Sequence, residues 1–384
     1  MAPALHGMVA PGFEPVGAAF AANFARTGPY GEIGASLAVY RHGTCVVDLW
    51  GGHADRARTR PWTRDTLVNL WSTTKGAAAL CVALLVDRGQ LAYDDCVARY
   101  WPDFAAAGKG DVTLGQLLSH QAGLPGFAVP TTIDDLFDQP LVAARLAAQA
   151  PLWPPGSANG YHAVTFGVLV AEIVRRVDGR TLGRLLAEDL AGPLGADFHI
   201  GLAPDDAPRV AELVPPDQPA DMSGIEITPA MAMALGSPAM EPQRANEPVW
   251  RAAELPALNG HGSAQGIARL YAALASVKGA ESIAPIGVET VDAITATVTS
   301  RPDLVLGFDP GWGMGVAHNG TGMFGRDPTT FGHSGWGGSF GCANRATGIA
   351  IGYACNHMGP DLVGDPRATS LCDAVFGAVV SRPR

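Results

Sequence analysis

Charged side chains are scarce in this sequence, and no stretch concentrates those of one sign. They make up 16% of the 384 residues, against 47% hydrophobic residues, so the chain has the composition of a protein with a large core and not of a disordered one. Acidic residues outnumber basic ones by 36 to 26, which gives a formal charge of −10. With no basic stripe, nucleic acid and anionic membrane surfaces are poor candidate partners.

Long apolar runs are also missing. The two longest, from Gly76 to Val86 and from Ala163 to Val174, are far short of the roughly 18 residues that a membrane span needs. The first residues contain no basic segment followed by the apolar stretch that marks an export signal. We therefore expect no transmembrane helix and a cytoplasmic location.

Cysteine pairs of the metal-binding or redox kind are absent, since the six cysteines form no C-x-x-C pair and no zinc-type spacing. A chain of this length does not need disulfides, so we expect small buried hydrophobic side chains in a reducing compartment. We predict neither a metal nor an organic cofactor. The cysteines are Cys45, Cys81, Cys96, Cys342, Cys355 and Cys372.

Strand-like segments lie towards both ends of the chain and helical patterns lie between them. Residues 35–40 and 45–50 are β-prone and are separated by a turn-like segment, and further strands are predicted at 311–317, 329–342 and 348–355. Helices are predicted at 13–27, 72–88 and 370–380, and several more between 100 and 270. The first dozen residues carry no clear signal. This α/β (α+β) pattern predicts a sheet assembled from both ends of the chain around an inserted helical region.

The sharpest local feature is the tetrapeptide S-T-T-K at residues 72–75, where the buried helix is predicted to begin. Ser72 alone could simply cap that helix. A lysine in the first turn, however, opposes the helix dipole, and Lys75 is one of only three lysines, with Lys109 and Lys278. Lys75 therefore has a chemical rather than a structural reason to be a lysine.

Residues three apart on a helix share a face, so the Lys75 amine can reach the Ser72 hydroxyl. Burial lowers the pKa of an amine, which makes Lys75 a candidate proton acceptor or the partner of a phenolate. The Ser72 amide, at the helix N-terminus, can stabilise an oxyanion. The tetrapeptide has the outline of a serine acyl-transfer site.

A second candidate nucleophile is Ser339, in the sequence G-G-S-F-G at residues 337–341, which fits the nucleophile-elbow pattern G-x-S-x-G. That pattern requires a helix after the serine, then an acid and a histidine further along the chain. Here the following segment is strand-like, and no Asp or Glu lies between Ser339 and the last histidine, His357. The glycines are better explained by a tight bend or a close backbone approach.

Several motifs together resemble the class C β-lactamase-like, penicillin-recognising serine hydrolases, in particular the family VIII carboxylesterases. Residues 72–75 match S-x-x-K, and L-L-S-H-Q-A-G-L-P at 117–125 is similar to the segment that follows it in this branch. The sequence G-Y-H-A at 160–163, after the P-P-G turn at 154–156, resembles the tyrosine motif. The third motif, K-T-G in β-lactamases and H-x-G or W-G-G in many esterases, resembles F-G-H-S-G-W-G-G-S at 331–339.

The resemblance implies a β-lactamase/transpeptidase-like fold, with an antiparallel sheet flanked by helices and an all-helical domain. The implied division is 1–100 and 271–384 for the α/β domain and 101–270 for the helical one. It also implies Ser72 as nucleophile, with Lys75 and Tyr161 handling the proton, although Tyr161 alone would equally be a half-buried aromatic side chain. A lysine ammonium nearby would let the tyrosine lose its proton well below pH 10.

The implied oxyanion and substrate-binding residues are Ser72, His333, Trp336, Gly337 and Ser339. The second oxyanion amide depends on the alignment: matching H-S-G with K-T-G selects Trp336, which we favour, whereas matching W-G-G selects Ser339. His120 and His333 could each instead be core histidines bonded to backbone.

Two departures from the family pattern favour esters over β-lactams. Ala163 stands where β-lactamases have the asparagine of Y-x-N, and His333 replaces a lysine, which removes a fixed cation at neutral pH. We therefore expect a carboxylesterase acting on small esters through an acyl-enzyme. The alternatives are a β-lactamase or D-alanyl-D-alanine peptidase, an acyltransferase, and, from another class, a non-catalytic binding module.

Overall fold

A computed structural model describes residues 4–218, 220–275 and 285–380, and within these ranges seven strands form one antiparallel sheet. Its order is β1-β3-β2-β10-β9-β8-β7, so the N-terminal strands meet the C-terminal ones at the β2–β10 pair, where Leu37 lies opposite Tyr353. The predicted sheet from both ends of the chain is confirmed. The strands are β1 Leu5–Val9, β2 Gly34–Arg41, β3 Thr44–Gly52, β4 Val68–Asn69, β5 Phe198–His199, β6 His261–Gly262, β7 Ala317–His318, β8 Phe331–Ser334, β9 Phe340–Asn344 and β10 Ile349–Cys355.

The hairpin predicted at residues 41–44 is confirmed, and its turn consists of two residues, His42 and Gly43. His42 and Gly43 have φ values of 48° and 76°, which is the combination that matches the twist of the flanking strands. Along β2, Leu37 and Val39 belong to one buried cluster, and Ala38 and Tyr40 belong to another. Successive side chains of a strand point to opposite faces, so this alternation places apolar layers on both sides of the sheet.

The strands differ from the prediction in three places. The segment 329–342 is not one strand but two, β8 and β9, because Gly337 and Gly338 adopt φ values of 87° and 124° that turn the backbone between them. The segment 311–317 is a strand only at Ala317–His318, because Gly311 and Gly315 adopt φ values of 60° and 83° that turn the backbone. The edge strand β1 lies in the segment without a sequence signal. This strand has five residues, most of them exposed, so its sequence lacks the apolar–polar alternation that marks a half-buried strand.

Helices cover both faces of the sheet. Helices α1 and α12 pack against each other, and their apolar residues join the cluster of Leu37 and Val39, while α10 packs on β10, β2 and β9. The helices are α1 Glu14–Phe24, α2 Thr74–Asp87, α3 Leu114–Leu118, α4 Gln139–Ala148, α5 Thr165–Asp178, α6 Leu182–Leu186, α7 Gly192–Leu194, α8 Pro229–Gly236, α9 Pro248–Ala252, α10 Ala264–Leu274, α11 Val288–Thr295 and α12 Pro366–Val380.

The middle of the chain is mainly helical, as predicted, and adds two short strands. In a small three-stranded antiparallel sheet, β6 is the central strand and pairs with β4 on one side and with β5 on the other. The boundary drawn at residue 270 falls inside α10, a helix that packs on the large sheet. The division at 100 and 270 stays a prediction, and its segments include residues 1–3, 219, 276–284 and 381–384, which lie outside the described ranges.

Four of the six cysteines, Cys81, Cys342, Cys355 and Cys372, are buried, and Cys45 and Cys96 are half-buried. All six are free thiols, and the burial predicted for them is correct for those four. In the part of the chain that the structure describes, no helix has the length and hydropathy needed to cross a bilayer.

Candidate active site

Ser72 lies between β4 and the first turn of α2, just after a residue in an unusual conformation. Trp71 has a φ of 46°, rare for a bulky side chain, and its ring packs against Trp250 and Trp336 at centroid distances of 5.6 and 5.2 Å. A turn follows, in which the N–H of Lys75 donates to the Ser72 carbonyl at 2.9 Å. The strained turn places the Ser72 side chain, 7% exposed, at the start of α2.

Lys75 is fully buried, and its amine has three partners. Nζ lies 2.9 Å from Ser72 Oγ, 2.7 Å from the Ala163 carbonyl oxygen and 3.1 Å from the Ala257 carbonyl oxygen. Burial holds the pKa of Lys75 well below its usual 10.5, because no carboxylate compensates for the lost hydration. The predicted contact between Lys75 and Ser72 is therefore present. Lys109 is also buried but donates to carbonyls at another place, and Lys278 lies outside the described residues.

Tyr161 lies beside both of these residues. Its ring centroid is 4.8 Å from Lys75 Nζ, and the nearby Ser72 hydroxyl lowers the pKa of the phenol. Burial raises the pKa of Tyr161 above its usual 10, more than the contact with Ser72 lowers it. The expectation of an easily ionised phenol does not hold here, because the amine that would stabilise a phenolate is itself buried and has a lowered pKa.

Asp303 organises this tyrosine, and the sequence analysis missed it. The carboxylate is 1% exposed, and it accepts hydrogen bonds from the Tyr161 N–H at 2.9 Å and from the Trp312 indole N–H at 3.0 Å. Trp312 in turn stacks on the Tyr161 ring, with centroids 5.7 Å apart and planes 4° from parallel. Asn159, Val305 and Leu306 complete the partners of Asp303. Nothing in the local sequence links residue 303 to residue 161, 142 positions away.

Two histidines border the tyrosine. His120 Nδ1 accepts the His162 N–H, and His333 Nδ1 donates to the Ser334 carbonyl at 2.8 Å, so both rings are held by backbone. Burial lowers the pKa of His120 well below 6.5 and that of His333 to about 3. Within the described residues, the Nε2 atoms of His120 and His333 are buried without a hydrogen-bond partner. Both are thus neutral, backbone-bonded histidines at the edge of the site.

The third motif approaches Ser72 from the opposite side. A Cβ atom at Gly335 would lie 2.2 Å from the Leu70 carbonyl oxygen, so the loop between β8 and β9 passes directly against the residues before Ser72. The hydroxyl of Ser339 donates to that same carbonyl at 2.9 Å and lies 3.1 Å from Thr73 Oγ1. Ser339 therefore links the loop to the start of α2. A strand follows it, which is unlike a nucleophile elbow.

Two backbone N–H groups in the first and third motifs have no internal acceptor among the described residues. In the described parts of the chain, neither the Ser72 N–H nor the Trp336 N–H donates to any protein atom. Trp336 is half-buried and begins the turn 336–338. Unpaired amides at a strand end and a helix start can bind an anionic oxygen.

Metal-ligating side chains do not gather at this site. The described ranges contain no group of three or more His, Cys, Asp or Glu placed to hold a metal ion. The sequence-based expectation of no cofactor stays a prediction.

Comparisons with known proteins agree with the motifs. Residues 20–373 match the Beta-lactamase family. The chain is 36% identical over 348 residues to "Esterase/beta-lactamase LipL" of Mycobacterium tuberculosis, which covers 86% of this chain and 78% of that protein. It is similar in structure to a family VIII carboxylesterase, at 44% identity and a TM-score of 0.90 over 98% of this chain and all of that one. A penicillin-binding protein homolog from Caulobacter crescentus matches with the same identity, TM-score and coverage.

Proposed function

This chain belongs to the Beta-lactamase family, and from that premise we propose that it is a serine carboxylesterase which hydrolyses short-chain esters through an acyl-enzyme on Ser72. The observation that carries the proposal is the set of contacts of the Lys75 amine. Two of its three partners are the carbonyls of Ala163 and Ala257, which can only accept hydrogen bonds. A neutral amine donates its two protons to them, and its lone pair then points to the Ser72 hydroxyl.

Lys75 is therefore the base in the acylation step. It takes the Ser72 proton as Oγ attacks the ester carbonyl, and its lowered pKa keeps a useful fraction unprotonated. Tyr161, protonated in the free enzyme, gives its proton to the departing alkoxide and is reprotonated by the Lys75 ammonium. A water molecule reverses these transfers when it hydrolyses the acyl-enzyme.

The oxyanion is held by the N–H groups of Ser72 and Trp336. The Gly335 N–H donates to the Ser339 carbonyl at 2.7 Å and thus faces β9. Because successive amides of an extended chain face opposite sides, the Trp336 N–H is expected to point away from β9, on the side of β8 that β7 pairs only at Phe331 and Gly332. This alternation favours Trp336 over Ser339 as the second donor.

The proposed substrate class is based on two contacts to a β-lactam that the site lacks, a cation for the carboxylate and a hydrogen-bond partner for the amide. His333, with a pKa of about 3 and Nδ1 bonded to backbone, supplies no cation for a carboxylate at neutral pH. The Ala163 side chain cannot hydrogen-bond an amide. Beside Tyr161 and His333 lies a small apolar recess of about 10 Å³, lined by Leu306, Pro310, Trp312, Met323 and Val363 among others. These features suit a small apolar ester.

The test compares p-nitrophenyl esters of graded chain length with a chromogenic cephalosporin. We expect kcat/KM for short esters to exceed that for the cephalosporin at least about a hundredfold, because two polar anchors are missing and each is typically worth about 1 to 3 kcal/mol. The variant carrying Ala163→Asn and His333→Lys should narrow the ratio, because it restores β-lactam contacts without changing Ser72, Lys75 or Tyr161.

Equal turnover of cephalosporin and butyrate ester by the wild type would favour a β-lactamase instead. Acyl transfer to an added alcohol, faster than hydrolysis, would favour an acyltransferase. A fluorophosphonate probe that leaves Ser72 unlabelled would favour a non-catalytic binding module.

A further inference from the structure

A buried ion cluster lies behind the turn 336–338, and no step proposed above uses it. The Arg367 guanidinium lies 2.7 Å from Asp365 Oδ2 and 3.3 Å from Glu32 Oε2, and the three side chains are 0%, 5% and 0% exposed. Burial raises the pKa of Glu32 to about 8, although Arg367 acts against this. Such clusters are weak sources of stability, because desolvation offsets most of the attraction between the charges.

The cluster contacts the turn directly. Arg367 Nη2 donates to the Gly337 carbonyl at 2.7 Å, and Nη1 donates to the His357 carbonyl at 2.9 Å. A Cβ atom at Gly338, whose φ is 124°, would lie 2.6 Å from Nη2. The guanidinium therefore occupies the space that a side chain at residue 338 would need.

From Gly337 the contact continues to the proposed oxyanion donor through two peptide groups. The Gly337 carbonyl and the Gly338 N–H belong to one peptide group, and that N–H donates to the Gly335 carbonyl at 3.2 Å. The Gly335 carbonyl and the Trp336 N–H belong to a second peptide group, which this hydrogen bond joins to the first. A cation at the first carbonyl orients and polarises both groups in the same direction, so that the last N–H becomes a better donor.

We propose that Arg367 is a positioning residue for catalysis, which holds and polarises the Trp336 N–H through the turn 336–338. This inference rests on the proposed function, since it assigns that N–H to the oxyanion hole. Arg367 itself touches neither the substrate nor the reacting atoms. Its removal should weaken binding of the transition state and leave binding of the ground-state ester almost unchanged.

The test uses a triple variant, Arg367→Met with Glu32→Gln and Asp365→Asn, because a lone Arg367→Met change would leave buried carboxylates without their cation. We expect kcat for p-nitrophenyl acetate, per site titrated with a fluorophosphonate, to fall about ten- to a hundredfold, less than the loss of a whole oxyanion donor. KM should change less than about threefold. The dissociation constant of a trifluoromethyl ketone, which forms a tetrahedral adduct, should rise by the same factor as kcat falls.

Tyr353→Phe is the matched control, because its hydroxyl donates to Glu32 at the end of the cluster away from the turn. It should keep kcat within about twofold. If the triple variant does not fold, Arg367→Lys, which keeps the charge but not the planar geometry, gives a second measurement and should show a smaller loss of the same kind.

An unchanged kcat per titrated site in a folded variant, or equal losses in both variants and the control, would overturn the role of Arg367. The proposed function would stand in that case, provided that the wild type hydrolyses esters and is labelled on Ser72. A wild type without that label would instead remove the proposed function and this inference together.

Discussion

The two walls of the site are held in place by different kinds of contact. On one wall, Ser72 and Lys75 belong to a single turn, and the amine is fixed by the carbonyls of Ala163 and Ala257 from the helical region. On the other, the turn 336–338 has no functional side chain of its own that reaches Ser72, and it is held from behind by Arg367. The proposed proton transfer thus depends on side chains, and the proposed oxyanion hole depends on the placement of peptide groups.

This difference indicates how each wall can fail. Truncating a side chain on the first wall removes a reacting group outright. On the second wall, a side-chain change acts only by moving or depolarising a backbone N–H, so its effect is partial. Substitutions on the two walls should therefore separate by size of effect.

The largest difference is expected between the two serines. Ser72→Ala should reduce ester hydrolysis by at least about ten-thousandfold, since the nucleophile is lost. Ser339→Ala should keep at least about a tenth of the activity, because its hydroxyl only links the loop to Leu70 and Thr73. Initial rates with p-nitrophenyl acetate measure both. A phosphonate adduct found on Ser339 by peptide mass spectrometry would reverse the assignment of the walls.

The next effect concerns the proton-handling pair. Lys75→Ala and Tyr161→Phe should each lower kcat about a thousandfold, and the double variant should be little worse, because groups that act as a unit are strongly non-additive. In the wild type, kcat/KM should rise with pH through the lowered pKa of Lys75, since only the neutral amine accepts a proton. Multiplicative losses in the double variant would mean that the two residues act in separate steps.

Asp303→Asn should have an intermediate effect, about tenfold in kcat, because it loosens the contacts with Tyr161 and Trp312. The charge of Asp303 raises the pKa of Tyr161, so its removal should lower that pKa and move the alkaline fall of kcat/KM to lower pH. The control is Asp309→Asn, in the same segment but bonded to Ser300 and Gly311. If the alkaline fall of kcat/KM in Asp303→Asn occurs at the same pH as in the wild type, Asp303 acts on folding alone.

The smallest effect is expected on chain length. Met323 and Val363 line both the recess beside Tyr161 and a neighbouring cavity of about 350 Å³. Met323→Ala should join the two spaces and raise the octanoate-to-acetate ratio of kcat/KM a few-fold, as expected for added apolar contact. Rates with graded p-nitrophenyl esters measure this ratio, and Leu304→Ala, an exposed position, serves as control. An unchanged ratio would place the acyl chain elsewhere.

Much of the fold was predictable because its signals are local. The helix predicted at 72–88 is Thr74–Asp87, and the hairpin predicted at 41–44 turns at His42 and Gly43. The strand predicted at 311–317 was wrong over most of its length, because its glycines adopt turning conformations that β-propensity does not reveal. The edge strand β1 forms by pairing with β3, and the short, mostly exposed segment has no sequence pattern that predicts this pairing.

The sequence by itself determined the spacing of Ser72 and Lys75, since residues three apart in a helical turn lie on the same face whatever surrounds them. Only the tertiary structure decided the protonation of the site, because the pKa values of Lys75, Tyr161 and His333 are set by burial among segments distant along the chain. It also decided the partners of the backbone. The contacts of Asp303 with Tyr161 and of Arg367 with Gly337 join residues 142 and 30 positions apart, a distance over which no local pattern operates.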